Sequence, residues 1–569
     1  MADTPNLTFE GNKVPRLTKF LYPFTGIFRD ACYALIGSFL LTYAMTTGVL
    51  SNDPDVYSAQ YGVITIAMVI ALIWDGINDP IMGLLVEKFH FKSGKFKPWI
   101  LIGAIGNALA VVLMFCIRLE GVADGWAYVG CMIAFYFLWD VFFTMNDVGY
   151  WSMLPSLTND EHERASLTSR VTLCASIGGF AMTAACFLLP SMFASGGGAG
   201  AGTVYMIIAI AISILFLASQ AAIFFFCKEK ARDPKQDEIS EATHFLDLFK
   251  IVWHNKQLLY AVIAMFLYYL ASGVLTGGIG LYYFYLNLGY GSYQGGMAAT
   301  LISVVYVVGN VAAQALYPIL IKKIKNKQLL LTITTGVAVV AFVAFFLCCF
   351  PVFGEHPIAY NDPSSYLTDD PYFISDMGQS LVWAVGGTMF LYYLLPLIFF
   401  FCLGTIYMII LMMFQGAIDY NEYEYGERKE AVAFSWRPLD VKLSSALLRA
   451  FQYMIFAFAG VSAYFATVSD AEGKYNSGAI TSAVRDEMIF EAGESVTSGQ
   501  LVVYGAWTVG IILVSVLIAY LLLHFKYTID EKKAAEITAE LERRHKEDEE
   551  AALKAVEAPS ENANPGAGA

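Results

Sequence analysis

About twelve apolar runs, each long enough to cross a bilayer, constrain this chain more than any other feature. They begin near residues 22, 60, 98, 125, 165, 203, 258, 296, 328, 385, 432 and 499. A spanning helix needs about 20 mostly apolar residues. Backbone polar groups in hydrocarbon must be satisfied within their own segment, so such runs read as helices. Composition agrees: 57% of residues are hydrophobic and 15% charged, with a mean hydropathy of +0.56. The chain is therefore expected to be an all-α, multi-pass integral protein of the cell membrane, with the lipid bilayer as its main partner. The run near 385 extends for up to about 33 residues and contains Pro396, which predicts a kink or an interfacial start. Residues 1–20 are polar and the first apolar run is too long for a signal-peptide core, so no cleavable leader is expected.

Basic residues set the expected orientation. Alternate connections carry Lys88, Lys92, Lys95 and Lys97; Lys228, Lys230, Arg232 and Lys235; Lys322, Lys323, Lys325 and Lys327; and Arg428 with Lys429. The connections between them are acidic or neutral, and 351–380 lacks Lys and Arg altogether. Both termini are thus expected in the cytoplasm. The net charge of -14 is ascribed to acidic external loops and a charged tail. Nine cysteines lie in or at the ends of apolar runs and read as buried free thiols.

The longest internal polar connection, 228–257, divides the spans six and six. The expected organisation is a cytoplasmic segment 1–21, a six-helix bundle 22–227, a middle loop 228–257, a second six-helix bundle 258–525 and a charged tail 526–569. Two such bundles related by an axis along the membrane normal would hold a site between them near the midplane.

Several charges lie inside these spans, where each costs roughly 2.5–3.5 kcal/mol and usually marks an ion or substrate path. Asp75 and Asp79 share one helix face (i, i+4) with Asn78 beside them. Their oxygens suit a small hard cation or a proton. At about 1.5 Å per residue, Asp79 is expected roughly 12 Å from the cytoplasmic end of span two, and Asp147 at similar depth in span four. Asp140, Thr144 and Asp147 share a face (i, i+4, i+7). Asp30, preceded by Arg29, falls in span one, Arg170 early in span five, and Lys442 about ten residues into span eleven. Structural ion pairs are the plainer reading of any one of these residues. Convergence at one depth favours a coupled transporter.

The segments IWDGINDPIMG (73–83), GKFKPWILIG, TMNDVGYWSMLP (144–155) and AIDYNEY (417–423) resemble the glycoside–pentoside–hexuronide:cation symporters of the major facilitator superfamily. The likeness runs through nearly all twelve spans and stops before 351–380, 468–498 and the tail. It implies a major facilitator fold and symport of a small sugar or glycoside with Na+, Li+ or H+, with no resident cofactor. It also implies that Asp75 and Asp79 bind the cation (Na+ as the metal candidate), with Asn78 and Thr144 auxiliary. By the same likeness Asp30, Asp147, Trp151 and Arg170 hold the sugar, and Lys442 couples the sites. For Trp151 an interfacial aromatic is the plainer reading.

The chain departs from the family's melibiose-transporting members at Asp140, where they have a small residue, and at Gly37, where they have an aromatic. Asp140 is expected to add a titratable group on the cation face or to pair with Arg437 or Lys442. In SWRPLDVKLSS, Pro438 predicts a kink and Arg437 with Asp440 a local ion pair. Gly83, Lys92, Gly94, Lys95 and Lys97 resemble the facilitator turn between spans two and three, which latches a cytoplasmic gate; plain topology is the alternative. The tail reads as a solvated helix followed by a disordered end, and a cytoplasmic partner is its sharper alternative.

A lysolipid carrier, a proton-coupled exporter and a non-transporting sensor stay open as other functions. No P-loop, zinc spacing or nucleophile elbow points to an enzyme, and no basic domain to nucleic acid.

Overall fold

The computed structural model describes residues 8–9, 14–89, 91, 93–119, 122–157, 161–194, 199–230, 252–288, 293–360, 377–426 and 436–557. The helices of the first half are α1 (Arg16–Thr46), α2 (Pro54–Lys88), α3 (Lys97–Cys116), α4 (Trp126–Ser156), α5 (Glu161–Ala194) and α6 (Ala201–Phe226). The second half opens with α7, which runs Lys256–Val274, continues through Leu275–Tyr282 and ends as Tyr283–Leu288. Then come α8 (Tyr293–Ile324), α9 (Lys327–Cys349), α10 (Leu391–Tyr425) and α11 (Trp436–Ala459). Two short helices, α12 (Ser462–Asn476) and α13 (Ser482–Glu494), precede α14 (Ser498–Phe525) and the tail helix α15 (Glu531–Glu557). Among the described residues eleven helices are long and apolar enough to cross a membrane, and α11 with α12, bent by 99°, supplies a twelfth.

Local chemistry sets the helix starts. Asp53 caps α2, its carboxylate accepting from the amides of Asp55 at 2.9 Å and Val56 at 3.2 Å, with Pro54 in the first turn. Asn255 and Asn326 cap α7 and α9 in the same way, and Thr497 with Gln500 forms a capping box on α14. The overlong run forms one long span, Gly387–Tyr425. A turn at Gly387–Phe390 precedes α10, and Pro396 lies five residues into the helix. Pro438 lies two residues after Trp436, where the described part of α11 begins.

Each half packs mainly upon itself: α1 against α5 and α6, α3 against α4 and α6, α10 against α8 and α9, α14 against α7 and α9. The halves meet where α2 packs on α11 and α5 on α8. The leading helix of each half carries a π-helical stretch, Leu35–Phe39 in α1 and Leu275–Tyr282 in α7. A carbonyl within each accepts a side-chain hydrogen bond from another span. Arg449 donates to Gly37 O at 3.2 Å and Tyr504 to Gly278 O at 2.6 Å.

The tail helix is docked rather than fully solvated. Ile537 and Leu541 are buried, Arg544 donates to Tyr423 O at 3.1 Å, and Lys327 N donates to Glu531 at 2.6 Å. The expected disordered end, 558–569, lies outside the described residues.

Candidate functional site

Two charge clusters stand out, one bridging the halves and one joining α1 to α4 within the first half. In the first, Lys442 of α11 reaches across to α2, its Nζ 2.9 Å from Asp75 Oδ2 and in still closer contact with Asp79 Oδ2. Thr144 of α4 donates to the other oxygen of Asp75 at 2.9 Å. Asn78 Nδ2 and Asp140 Oδ2 are buried without a protein partner. Asp140 forms no ion pair with Lys442 or Arg437, whose Nη2 instead donates to Tyr407 at 2.7 Å. The expected Arg437–Asp440 pair is not formed either, and Asp440 Oδ2 has no partner.

Burying two carboxylates one turn apart requires a positive charge, and here the ammonium supplies it. Orphaned polar atoms beside such a pair fit a small cation or a proton. No group of three or more His, Cys, Asp or Glu among the described residues is arranged to hold a metal ion. A monovalent cation at Asp75 and Asp79 would therefore complete its shell from hydroxyl and amide oxygens such as those of Thr144 and Asn78.

In the second cluster Arg29 clasps two acids. Its Nε and Nη2 lie 3.1 and 3.0 Å from Asp30 Oδ2, and its Nη1 lies 2.5 Å from Asp147 Oδ1. The guanidinium rests 4.6 Å over the Tyr150 ring and 5.2 Å from that of Trp151. Tyr150 and Tyr22 are stacked at 4.6 Å and donate to each other's carbonyls, which joins α1 to α4 beneath the arginine. Asp30, Asp147 and Trp151 are thus brought together. Arg170 is not among them; it is exposed and stands beside the Lys19–Glu163 ion pair.

The two faces of the molecule differ. On one, α12 closes against the first half: Glu472 accepts from Ala201 N at 3.2 Å, Asn476 donates to Thr47 O at 3.4 Å, and Gly48 abuts the backbone of Gly473. Gly48 has φ +78°, so a side chain there would be strained as well as obstructed. Toward the other face the site side chains are open, with Asp79 35% and Asp147 37% exposed.

The turn between α2 and α3 has an organiser that its basic character conceals. Glu229, just beyond α6, accepts from the amides of Lys95, Phe96 and Lys97 at 2.8, 3.1 and 2.8 Å, filling the N-terminus of α3. Lys97 Nζ donates to Cys227 O at 3.0 Å. Gly94 has φ +126°, and a Cβ there would meet the Glu229 carboxylate at 2.7 Å. Gly83 faces open space, and Lys92 lies outside the described residues.

Arg29 and Arg449 carry geometry that sequence reasoning passed over. Arg29 reads in sequence as a partner for its neighbour alone. Arg449 interrupts the apolar stretch ALLRAFQYMIF, a signal as strong as that of the acids.

Residues 54–484 match the family described as MFS/sugar transport protein. The lactose permease of Leuconostoc lactis is 26% identical over 551 residues, covering 95% of this chain and 74% of that protein. The raffinose carrier protein of Pediococcus pentosaceus is 23% identical over 436 residues, covering 75% and 60%. Of the Lactobacillus helveticus lactose permease the chain likewise spans 63%. Among solved structures, a bacterial homolog of the human lysosomal transporter Spinster superposes with a TM-score of 0.55 at 14% identity, covering 89% of this chain and 95% of that one. A D-xylose–proton symporter gives 0.50 at 13% identity, covering 90% and 97%. The fold is that of two six-helix bundles shared by these transporters.

Proposed function

The chain belongs to the MFS/sugar transport protein family, and from that premise we propose that it carries a sugar or glycoside across the cell membrane by symport with Na+, Li+ or H+. A transporter of this family is a multi-pass membrane protein and not an enzyme. We place both termini in the cytoplasm and the bundles at 22–227 and 258–525, joined by the loop 228–257. On that placement the α12 face is external and closed, and the site opens inward.

One observation carries the reading: Lys442 of one bundle neutralises Asp75 and Asp79 of the other. A cation arriving at these carboxylates, assisted by Thr144, Asn78 and Asp140, competes with the ammonium and releases the tie between bundles. Arg29, Asp30, Asp147 and Trp151 form the sugar side. Charge-assisted hydrogen bonds from carboxylates and a guanidinium suit hydroxyls, and the indole suits an apolar pyranose face. A cluster this polar disfavours a lysolipid. Gly83, Gly94, Lys95 and Lys97 belong to the inward gate, with Lys92 assigned by likeness alone, and Arg170 lies at the edge of the path.

The mechanism is energetically sufficient. One charge moving down ~100 mV supplies about 2.3 kcal/mol, which supports roughly 50-fold accumulation of a neutral solute. Reconstituted protein given galactosides, pentosides and hexuronides with and without sodium, at fixed pH, tests the proposal. A sugar-evoked uptake that follows sodium or pH supports it. Folded protein silent toward the whole panel under both ions overturns it.

A further inference from the structure

On α4, Tyr136, Asp140 and Thr144 recur every four residues and form one stripe. Both ends of the stripe are linked to α11. Thr144 donates to Asp75, which Lys442 of α11 also holds at 2.9 Å. At the other end Tyr136 Oη accepts from Arg449 of α11 at 3.2 Å. Asp140 thus stands between the levels of two α11 cations that are seven residues apart.

Asp140 is 3% exposed, and its Oδ2 has no hydrogen-bond partner. The charges acting on it are Asp75 and Asp79 of α2, which repel it, and Lys442, which attracts it. A buried carboxylate so placed is costly unless something pairs with it. The cation proposed to occupy Asp75 and Asp79 displaces the Lys442 ammonium. A buried ammonium left without an acid is strongly unfavourable, and the charge of the arriving cation repels it further. Arg449 gives no relief, being itself a cation held by Tyr136 and Gly37 O.

We infer that Asp140 is a positioning residue that receives the displaced Lys442 ammonium, so that cation binding hands α11 from α2 to α4. The inference rests on the cation-coupled reading and says how that site is switched. In the empty site one ammonium serves Asp75 and Asp79. In the loaded site the cation serves them and the ammonium serves Asp140. The flexible four-carbon stem of lysine suits such a swing. Its length is modest, because Asp140 lies one helical turn from the Thr144 that already touches Asp75.

The test uses reconstituted full-length protein with sodium, lithium and pH as probes. Cation affinity is read from melting temperature and from the binding of whichever galactoside, pentoside or hexuronide the wild type takes. Asp140→Asn is expected to weaken activation by the coupling ion at least tenfold, and Asp140→Glu to restore most of it. With Lys442→Gln there is no ammonium to receive. Adding Asp140→Asn to that variant should therefore change cation affinity by less than about threefold. Unchanged affinity in Asp140→Asn alone overturns the inference. An equal loss in both backgrounds does so as well, because it makes Asp140 a ligand of the cation.

If Lys442→Gln does not fold, Asp140→Asn alone decides. A common factor of loss for sodium and lithium supports the inference, as does a midpoint about one pH unit lower if the wild type is driven by protons. Unequal factors, or disappearance of the pH response, overturn it. Folded wild type that binds none of the sugars, or binds them regardless of all three ions, overturns the cation-coupled reading together with the inference.

Discussion

Lys442 on α11 stands 2.9 Å from Asp75 on α2, so the countercharge of the carboxylate pair comes from the opposite bundle. Any ligand that replaces this ammonium alters both local charge and the attraction between halves. That dependence is the physical content of coupling here.

Asp79→Asn leaves Asp75 to hold Lys442 alone and removes half of the proposed cation site. Uptake against a gradient should fall from the ~50-fold accumulation that one charge supports to about equilibration, while sugar exchange persists. Counterflow and concentrative uptake in the same vesicles separate the two.

Arg29→Gln releases Asp30 and Asp147 from their shared partner and leaves two acids facing each other. Losing charge-assisted bonds of roughly 1.5–3 kcal/mol should weaken sugar binding by about 10- to 100-fold. Exposed Arg170, changed to Gln, should alter affinity by less than about threefold, in line with the small energetic weight of exposed charges. Titration calorimetry on both variants compares them directly.

Thr47→Cys with Asn476→Cys, in a background lacking the native cysteines, joins residues whose polar atoms lie 3.4 Å apart across the α12 seal. Oxidation should stop transport and reduction restore it, because α12 must leave the first bundle for the external side to open. Transport that continues in the fully oxidised protein would exclude α12 as the moving seal.

Gly94→Ala forces a left-handed backbone onto an L side chain and drives a methyl group toward Glu229. A loss of about 1–3 kcal/mol is expected, read as a lowered melting temperature in detergent. Glu229→Gln should lose less, since an amide oxygen still accepts from two of the three backbone N–H groups, those of Phe96 and Lys97.

The spans were legible because crossing a bilayer needs long apolar runs, and Asp75, Asp79 and Asp147 because burying charge there is costly. Their partners were less so. Lys442 emerged by likeness, whereas Arg29 hid behind its neighbour Asp30, although it also holds Asp147 across 118 positions. Arg449 was findable by the rule that found the acids. The docked tail was missed because Tyr423, which Arg544 and Lys533 both cover, lies more than a hundred residues away. Contacts of that sequence separation leave no local pattern.

The two π stretches make the winding of one helix depend on a side chain from another. A π turn carries an extra residue, and the side-chain donor on its carbonyl helps hold it open. If Arg449 releases Gly37, the cheapest response of α1 is to return to α-helical winding. One residue is then taken up by the turn, and everything beyond it rotates by about 100°. Loss of that one hydrogen bond would act on α1 as a key on a screw thread, turning the end that meets α12.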